Sequence, residues 1–254
     1  MKSPVVLKTI AEMIQWRRSV VDQSVGFVPT MGALHEGHAS LLKKSGDEND
    51  ITVLSIFVNP TQFNQTQDLA KYPRTWDEDI RCATAEGVDA VFYPSFTDMY
   101  PDNYIFSVHE NDFSHLLCGA SRPGHFQGVL TIVLKLINLV QPQKVYMGEK
   151  DYQQLHLIKK MVQALFLPTQ IIGCPTIRNA DGLALSSRNT RLSDDERDRS
   201  SLIYKTITTA ANTTEAKTIL EKAGFKIDYL VDIENRRYAA VYVGDVRLID
   251  NVPL

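Results

Sequence analysis

The chain has 254 residues, 27 of them basic and 30 acidic, which gives a formal net charge of −3. This length suits one main domain with a smaller appendage, and it can bury a sizeable core without disulfides. The near-balance of charge disfavours binding to nucleic acid or to a membrane surface, so a small molecule is the expected partner.

The beginning of the chain and its cysteines favour a cytoplasmic setting. The first 18 residues contain no long apolar segment of the signal-peptide type, and no stretch reaches the about 20 apolar residues of a membrane span. Cys82, Cys118 and Cys174 lie far apart and are odd in number, which is not typical of a disulfide framework. We therefore expect a cytoplasmic protein without a membrane partner.

Apolar strands alternate with helical segments through the first two thirds of the chain. The predicted strands cover residues 24–30, 51–59, 88–94, 144–150 and 169–178. One predicted helix begins near Gly37. Three others cover residues 75–87, 127–140 and 151–165. This alternation predicts an α/β fold whose parallel sheet is built with right-handed crossovers. Ligands of such sheets bind beyond the carboxyl ends of the strands.

The sequence becomes polar and rich in turn residues from about Arg178 onwards. Two helices are predicted at residues 194–211 and 215–223. Two strands are predicted at residues 227–235 and 237–250, paired in antiparallel fashion around the intervening turn. This change predicts a domain boundary near residues 174–179.

The stretch PTMGALHEGH, residues 29–38, places two imidazoles directly after a predicted strand. The N-terminus of a helix favours an anion, and imidazole can donate hydrogen bonds to phosphate oxygens. His35 and His38 are three residues apart and would share one side of the first turn. We predict a nucleotide phosphate site here. The alternatives are two surface histidines, or a zinc site, for which no third ligand occurs at suitable spacing.

GEKDYQQL, residues 148–155, provides a lysine between a predicted strand and a helix. The Lys150 ammonium can reach phosphates as a point charge, although a solvated lysine at a helix start is the simpler alternative. Asp151 is more typical of an N-cap than of a metal ligand. Gln154 lies four residues beyond Lys150, on the same helical face.

Three further stretches contribute polar groups in predicted loops. LSSRN, residues 185–189, can wrap a polyphosphate and belongs to a loop suited to closing on substrate, although such runs are common. Gln62 in NPTQF suits a substrate with hydroxyl and carboxylate groups, or it merely belongs to a turn. Arg122 and His125 belong either to a substrate loop or to a structured connection. Neither GxxxxGK[ST] nor GxGxxG occurs, so a nucleotide would be bound as in adenylyl-transferring enzymes.

These stretches resemble the pantothenate synthetase (pantoate–β-alanine ligase) family of the HIGH-type nucleotidyltransferase superfamily. The resemblance covers residues 26–197 and is carried in order by FVPTMGALHEGH, SIFVNPTQF, YPRTWDED, MYP, LCGASRPGHFQGV, GEKDYQQL, PTIRNADGLALSSRN and LSDDER. It implies a Rossmann-like parallel sheet with flanking helices, which forms a nucleotide- and pantoate-binding domain over residues 1–174. It also implies a small α+β C-terminal lid domain over residues 175–254, and a homodimer.

The resemblance implies an AMP-forming acid–amine ligase of coenzyme A biosynthesis. The carboxylate of (R)-pantoate would attack the α-phosphorus of ATP, giving pantoyl adenylate and diphosphate. The amine of β-alanine would then attack the acyl carbon, giving pantothenate and AMP. ATP would enter with Mg²⁺, and no metal ligand of the protein is assigned. The competing hypotheses are an adenylyltransferase of the same superfamily acting on a phosphate ester, and a non-catalytic nucleotide sensor.

The resemblance also implies roles for individual residues. His35, His38 and Lys150 would be catalytic, with His38 as the proton donor. Gln62 and Gln154 would bind pantoate, and Gln62 would also meet β-alanine. The side chain of Glu149 is expected to point away from the phosphates. The implied ATP-binding residues are Met31, Gly32, Ala33, Leu34, His35, Glu36, Gly37, His38, Gly148, Glu149, Lys150, Asp151, Ile177, Leu185, Ser186, Ser187 and Arg188.

Overall fold

The computed structural model describes residues 3–254, which form two compact units. The first unit holds the described residues up to Gly148 together with Gln153–Cys174, and the second holds Glu149–Tyr152 and Pro175–Leu254. The short segment Glu149–Tyr152 groups with the second unit because its hydrogen-bond partner lies on the last strand, about a hundred residues further along the chain. No sequence pattern indicates this grouping.

The first unit is built on a six-stranded parallel sheet. Its strands are β1 (Val5–Leu7), β2 (Val25–Thr30), β3 (Ile51–Ile56), β4 (Ala90–Phe92), β5 (Lys144–Gly148) and β6 (Gln170–Cys174). Their order across the sheet is β1-β4-β3-β2-β5-β6, and every neighbouring pair is parallel. All six residues of β3 are buried, as its continuous apolar sequence predicts for an inner strand. The predicted parallel α/β sheet is confirmed.

Eight α-helices lie within the described residues 3–174. They are α1 (Ile10–Ser19), α2 (Glu36–Glu48), α3 (Thr66–Ala70), α4 (Trp76–Ala85), α5 (Phe96–Met99), α6 (Cys118–Ser121), α7 (His125–Val140) and α8 (Tyr152–Ala164). Helix α7 is apolar on nearly all sides and is buried over most of its length. On α2, Leu41 and Leu42 pack against Val28 and Leu54 of the sheet, so that the start of this helix is fixed over the carboxyl end of β2.

The second unit contains two helices and a three-stranded antiparallel sheet. Its elements are α9 (Asp194–Thr209), α10 (Thr213–Lys222), β7 (Lys226–Ile233), β8 (Arg236–Val243) and β9 (Val246–Pro253), with the strands in the order β7-β8-β9. The prediction of one strand over residues 237–250 is wrong. Gly244, at a φ of +55°, and Asp245 form a two-residue turn there, so that Val243 pairs with Val246.

Each unit has its own apolar core. In the second unit, Ile203 and Ile207 of α9 pack with Leu220 of α10 and with Leu230 and Val241 of the sheet. The small α+β C-terminal fold is thereby confirmed. Within residues 3–254, no helix has both the length and the apolar character needed to span a membrane.

Candidate active site

The stretch PTMGALHEGH begins in β2, the strand at which the order of the sheet reverses. β2 pairs with β3 on one side and with β5 on the other. From β2 the chain continues outwards through β3 and β4, and later on the opposite side through β5 and β6. A switch point of this kind opens a crevice beyond the carboxyl ends of the strands, where open α/β sheets bind ligands.

His35 and His38 lie side by side at the N-terminus of α2. Their ring centroids are 4.1 Å apart. The backbone N–H of Gly37 donates to His35 Nδ1 at 3.1 Å, and the backbone N–H of His35 donates to His38 Nδ1 at 3.3 Å. Because both Nδ1 atoms accept, each neutral imidazole carries its proton on Nε2. A pair of imidazoles at the N-terminus of a helix suits an anionic ligand.

The turn between β2 and α2 is held by Asp79, a buried residue of α4. The N–H groups of Leu34 and Ala33 donate to its two carboxylate oxygens at 2.7 and 3.1 Å. Gly32 and Ala33 have φ values of +78° and +52°, and a Cβ on Gly32 would lie 2.8 Å from Asp79 Oδ2. Glycine thus permits both the left-handed turn and the close approach of the carboxylate. Burial raises the pKa of Asp79, against the opposing effect of these hydrogen bonds.

Sequence reasoning did not single out Asp79. Its stretch, YPRTWDED, contributed to the family resemblance, but Asp77, Glu78 and Asp79 look alike as acids in the first turn of a helix. Asp77 and Glu78 are exposed, whereas Asp79 is buried. The only available signal was the family motif itself.

Gln62 connects the turn after β3 with the turn after β2. Its Nε2 donates to Met31 Sδ at 3.2 Å, and its Oε1 accepts from Asn59 Nδ2 at 3.1 Å. The side chains of Met31 and Gln62, predicted from two separate stretches, are therefore in direct contact. Asn59 is 1% exposed and also donates to the carbonyl of Gly128 on α7 at 3.2 Å.

Buried polar groups support Gln62 and Asn59. The hydroxyl of Tyr100 donates to Asn59 Oδ1 at 2.9 Å, and burial raises the pKa of Tyr100 to about 12, so that this hydroxyl keeps its proton. His125 Nδ1 lies 2.9 Å from the carbonyl oxygen of Gln62, and His125 Nε2 lies 3.0 Å from Arg122 NH1. Since a carbonyl only accepts and a guanidinium only donates, the His125 ring is neutral with its proton on Nδ1.

Two adjacent glutamines of α8 have different surroundings. Gln153 is buried; it accepts from the N–H of Cys118 and donates to the carbonyls of Phe113 and Leu116. Gln154 is half-buried. Gln153 thus supports the fold, while Gln154 remains partly accessible to a ligand.

In the second unit, Glu149, Lys150 and Asp151 form a single 3-10 turn directly before α8. Lys150 Nζ lies 3.8 Å from Asp151 Oδ2. The carbonyls of Glu149 and Lys150 each accept from Asn251 Nδ2 at 2.9 Å. The backbone of the lysine turn is therefore bonded to β9, a contact that no local sequence pattern predicts.

The other predicted residues of the second unit lie around a closed loop. The N–H of Leu185 donates to the carbonyl of Ile177 at 3.0 Å, and Arg178 pairs with Ala184 in an antiparallel bridge. Ser186 caps the 3-10 turn Ser187–Arg191 by accepting from the N–H of Arg188 at 3.3 Å. Ile177 and residues 185–188 are thus brought together.

These features define a Rossmann-like α/β protein that carries two imidazoles at a helix N-terminus, beside the switch point of its sheet. The family model described as pantoate–β-alanine ligase matches residues 5–253. A pantothenate synthetase of Bdellovibrio bacteriovorus is 53% identical, covering 98% of this chain and 99% of that protein. One of Legionella pneumophila is 48% identical, covering 97% and 98%. The chain belongs to the pantoate–β-alanine ligase family.

Solved structures agree with this assignment. The pantoate–β-alanine ligase of Francisella tularensis, complexed with beta-gamma ATP and beta-alanine, has a TM-score of 0.94 and 43% identity over 99% of this chain and 98% of its own. The pantothenate synthetase of Thermus thermophilus has a TM-score of 0.89 and 38% identity over 98% and 99%. This chain is an acid–amine ligase that condenses pantoate with β-alanine, as predicted. The match also includes the residues beyond Arg197, where the sequence motifs ended.

Proposed function

We propose that this ligase uses ATP and proceeds through a pantoyl adenylate. A carboxylate oxygen of (R)-pantoate attacks the α-phosphorus, the bond to the bridging oxygen breaks, and diphosphate leaves. The amine of β-alanine then attacks the acyl carbon, loses a proton and displaces AMP. The observation that carries this proposal is the pair of His35 and His38 imidazoles, 4.1 Å apart at the start of α2. The ligands of the Francisella tularensis relative support the choice of substrates.

The proposed catalytic residues act by binding and stabilising charge. His35 and His38 donate to phosphate oxygens, with His38 as the proton donor. Lys150 binds phosphate charge as a compact cation. The backbone around Met31 faces the reacting carboxylate and the α-phosphate, next to the turn that Asp79 holds. Donors fixed in advance in this way are usually the largest contribution to catalysis.

The remaining proposed roles follow the family resemblance. Gln62 and Gln154 bind pantoate, and Gln62 also meets β-alanine. Residues 148–151 and 185–188 line the ATP site, Ile177 packs near the adenine, and the side chain of Glu149 points away from the phosphates. Residues 1–174 serve as the nucleotide- and pantoate-binding domain, and residues 175–254 as the lid domain.

Mg²⁺ enters this proposal with the ATP substrate. Nowhere in residues 3–254 do three or more His, Cys, Asp or Glu side chains cluster in a way that would hold a metal ion. Mg²⁺ at nucleotide sites is held largely by phosphates and water, with one or two carboxylates. The chain's own donors therefore fit a metal that arrives on the nucleotide rather than one in a cage of protein ligands.

We also propose that the enzyme is a cytoplasmic homodimer, joined through its N-terminal domains. The family resemblance supports this assembly. Sedimentation equilibrium of the purified ligase should give twice the mass of 28.6 kDa. A monomer at all accessible concentrations would contradict the proposal.

Exchange of labelled diphosphate into ATP tests the adenylate step. We expect exchange to require pantoate and Mg²⁺ and to proceed without β-alanine, because the first step is separable. Exchange seen only with β-alanine present would contradict a separate adenylate, and ATP binding without exchange would indicate a nucleotide sensor.

Variants of His38 and Lys150 test the residue roles in the same assay. His38→Ala and Lys150→Ala should each slow exchange roughly 10²- to 10³-fold, with little change in the KM for pantoate. Lys159→Ala, which removes an exposed lysine of α8, is the matched control. A rate like that of the control in either variant would remove that residue from the mechanism.

A further inference from the structure

The last strand of the second unit contacts both of its proposed ATP-binding segments. Asp250 and Asn251 are neighbours on β9, and each is 5% exposed. Adjacent residues of a strand point to opposite faces, so the two side chains can reach different parts of the unit. Asp250 Oδ1 also accepts from the backbone N–H of Asn251 at 2.8 Å, which connects the two contacts.

Asn251 holds the turn that carries Lys150. Its Nδ2 donates to the carbonyls of Glu149 and Lys150, both at 2.9 Å, so each of its two N–H groups has an acceptor. Its Oδ1 accepts from Arg236 NH1, and the Arg236 guanidinium stacks 3.6 Å from the ring centroid of Tyr152. The turn is thus fixed at two successive carbonyls and at the residue that follows it.

Asp250 holds the loop that precedes residues 185–188. Its two carboxylate oxygens accept from Arg178 NH1 and NH2 at 2.6 and 2.8 Å. Arg178 also donates to the carbonyl of Gly182 at 3.1 Å, and its guanidinium stacks on Tyr204 at 3.7 Å. Arg178 follows Ile177 directly and pairs with Ala184, so its position determines where the loop closes.

We propose that Asp250 and Asn251 are positioning residues for ATP, which hold the Lys150 turn and the loop leading to Ser186–Arg188 on one strand. The inference rests on the proposed roles of Lys150 and residues 186–188. The lysine turn is a single 3-10 turn, and the loop has only a few backbone hydrogen bonds of its own, among them that of Leu185 to Ile177. Bonds from buried side chains compete with little water and therefore keep both backbones in place.

Asn251→Leu tests the inference, because leucine is similar in size but donates no hydrogen bond. We expect the Kd for a non-hydrolysable ATP analogue to rise about 10- to 100-fold, because the groups that bind it shift by about an ångström. The KM for β-alanine should change little. Asp228→Asn on β7 is the control. It breaks the ion pair with Arg247, which lies on β9 as Asn251 does but near the opposite end of that strand. It should lower the Tm and leave ATP binding unchanged.

A double-mutant comparison separates positioning from general stability. In a Lys150→Ala background, Asn251→Leu should weaken ATP binding much less than in the wild type, because its effect through Lys150 is already lost. An equal loss of ATP affinity on Asn251→Leu in both backgrounds would overturn the inference. So would an Asn251→Leu single variant that binds ATP as strongly as Asp228→Asn does. Wild-type ATP binding and turnover in Lys150→Ala alone would instead contradict the proposed function.

Arg178→Lys is a milder second test that applies even if Asn251→Leu does not fold. Lysine keeps the charge but cannot reproduce the two parallel hydrogen bonds that the guanidinium makes with Asp250. We expect weaker ATP binding than in the Asp228→Asn control at a comparable Tm. Unchanged ATP binding in a folded Arg178→Lys enzyme would overturn the inference.

Discussion

Gln62 is held at both ends of its side-chain amide, by Met31 at Nε2 and by Asn59 at Oε1. These contacts fix the orientation of the amide in the protein itself. Each amide atom has capacity for one more hydrogen bond, since Nε2 has a second proton and Oε1 a second lone pair. A hydroxyl and a carboxylate oxygen of pantoate are suitable partners.

We predict that Gln62→Ala raises the KM for pantoate and reduces discrimination against an analogue that lacks the 2-hydroxyl. The wild-type site leaves a buried polar group unpaired when the hydroxyl is missing, and alanine removes that group. Steady-state kinetics with both substrates measure the effect. Gln153→Ala is the control, because the amide of Gln153 bonds only to the protein backbone. An unchanged KM with a lowered Tm in Gln62→Ala would indicate a structural role instead.

Asp79 acts on the candidate site through the backbone of the turn after β2. Its carboxylate accepts from two N–H groups, whereas an asparagine has one acceptor oxygen and would turn its NH₂ towards the other N–H. We predict that Asp79→Asn lowers kcat about 10- to 100-fold through a shift of the turn. Asp77→Asn, in the exposed first turn of α4, should retain wild-type kcat.

The pH profile gives a second readout for Asp79. Protonation removes an acceptor from the turn, and burial raises the pKa of this carboxyl. The fall of kcat in acid should therefore begin at a higher pH than for an ordinary aspartate. A wild-type kcat in Asp79→Asn, with only the Tm reduced, would rule out positioning by this residue.

At the scale of elements, Glu48 fastens the end of α2 to β5. Its carboxylate accepts from Lys44 at 2.6 Å on the same helix, and from Tyr146 at 2.8 Å and Lys144 at 3.1 Å on β5. These hydrogen bonds, that of Lys44 first, lower the pKa of Glu48 from 4.5 to about 2. They also offset the unfavourable position of an acid at the C-terminus of a helix.

We predict a pH-dependent stability difference between the wild type and Glu48→Gln. Because the folded pKa of Glu48 is lowered, its contribution is fully present above its unfolded value of 4.5 and is lost as the pH falls towards about 2. The difference in Tm between the wild type and Glu48→Gln should therefore become smaller as the pH falls over that range. Asp47→Asn, a change at the exposed neighbouring residue, is the control. A difference that stays constant with pH would contradict the assignment.

At the scale of the molecule, the two units have separate apolar cores. We predict that Leu230→Ala destabilises the second unit by roughly 2–5 kcal/mol, because Leu230 is fully buried there. Hydrogen exchange followed by mass spectrometry should show faster exchange in residues 175–254 and unchanged exchange in β2 and β3. Leu42→Ala should show the opposite distribution. Equal acceleration in both units by either variant would indicate a single cooperative unit.

The sequence by itself determined the α/β class, most strand and helix positions, the chemical character of the candidate site and the family. These features depend on patterns between neighbouring residues. Examples are the apolar run of β3, the imidazoles three residues apart at the start of α2, and the strand–turn order before Lys150. The turn at Gly244 is also present as a local signal, since Gly-Asp between two apolar runs is typical of a two-residue hairpin turn.

Only the tertiary structure decided which residues hold the candidate site residues in place. Asp79 is 45 positions from Leu34, and Asn251 is 101 positions from Lys150. Locally, Asp79 is one of three acids at a helix start, and Asn251 is one polar residue of a strand. Their roles follow from burial beside backbone groups that need a partner, and burial is set by how distant elements pack. Local sequence patterns do not specify which distant backbone groups a given side chain will meet.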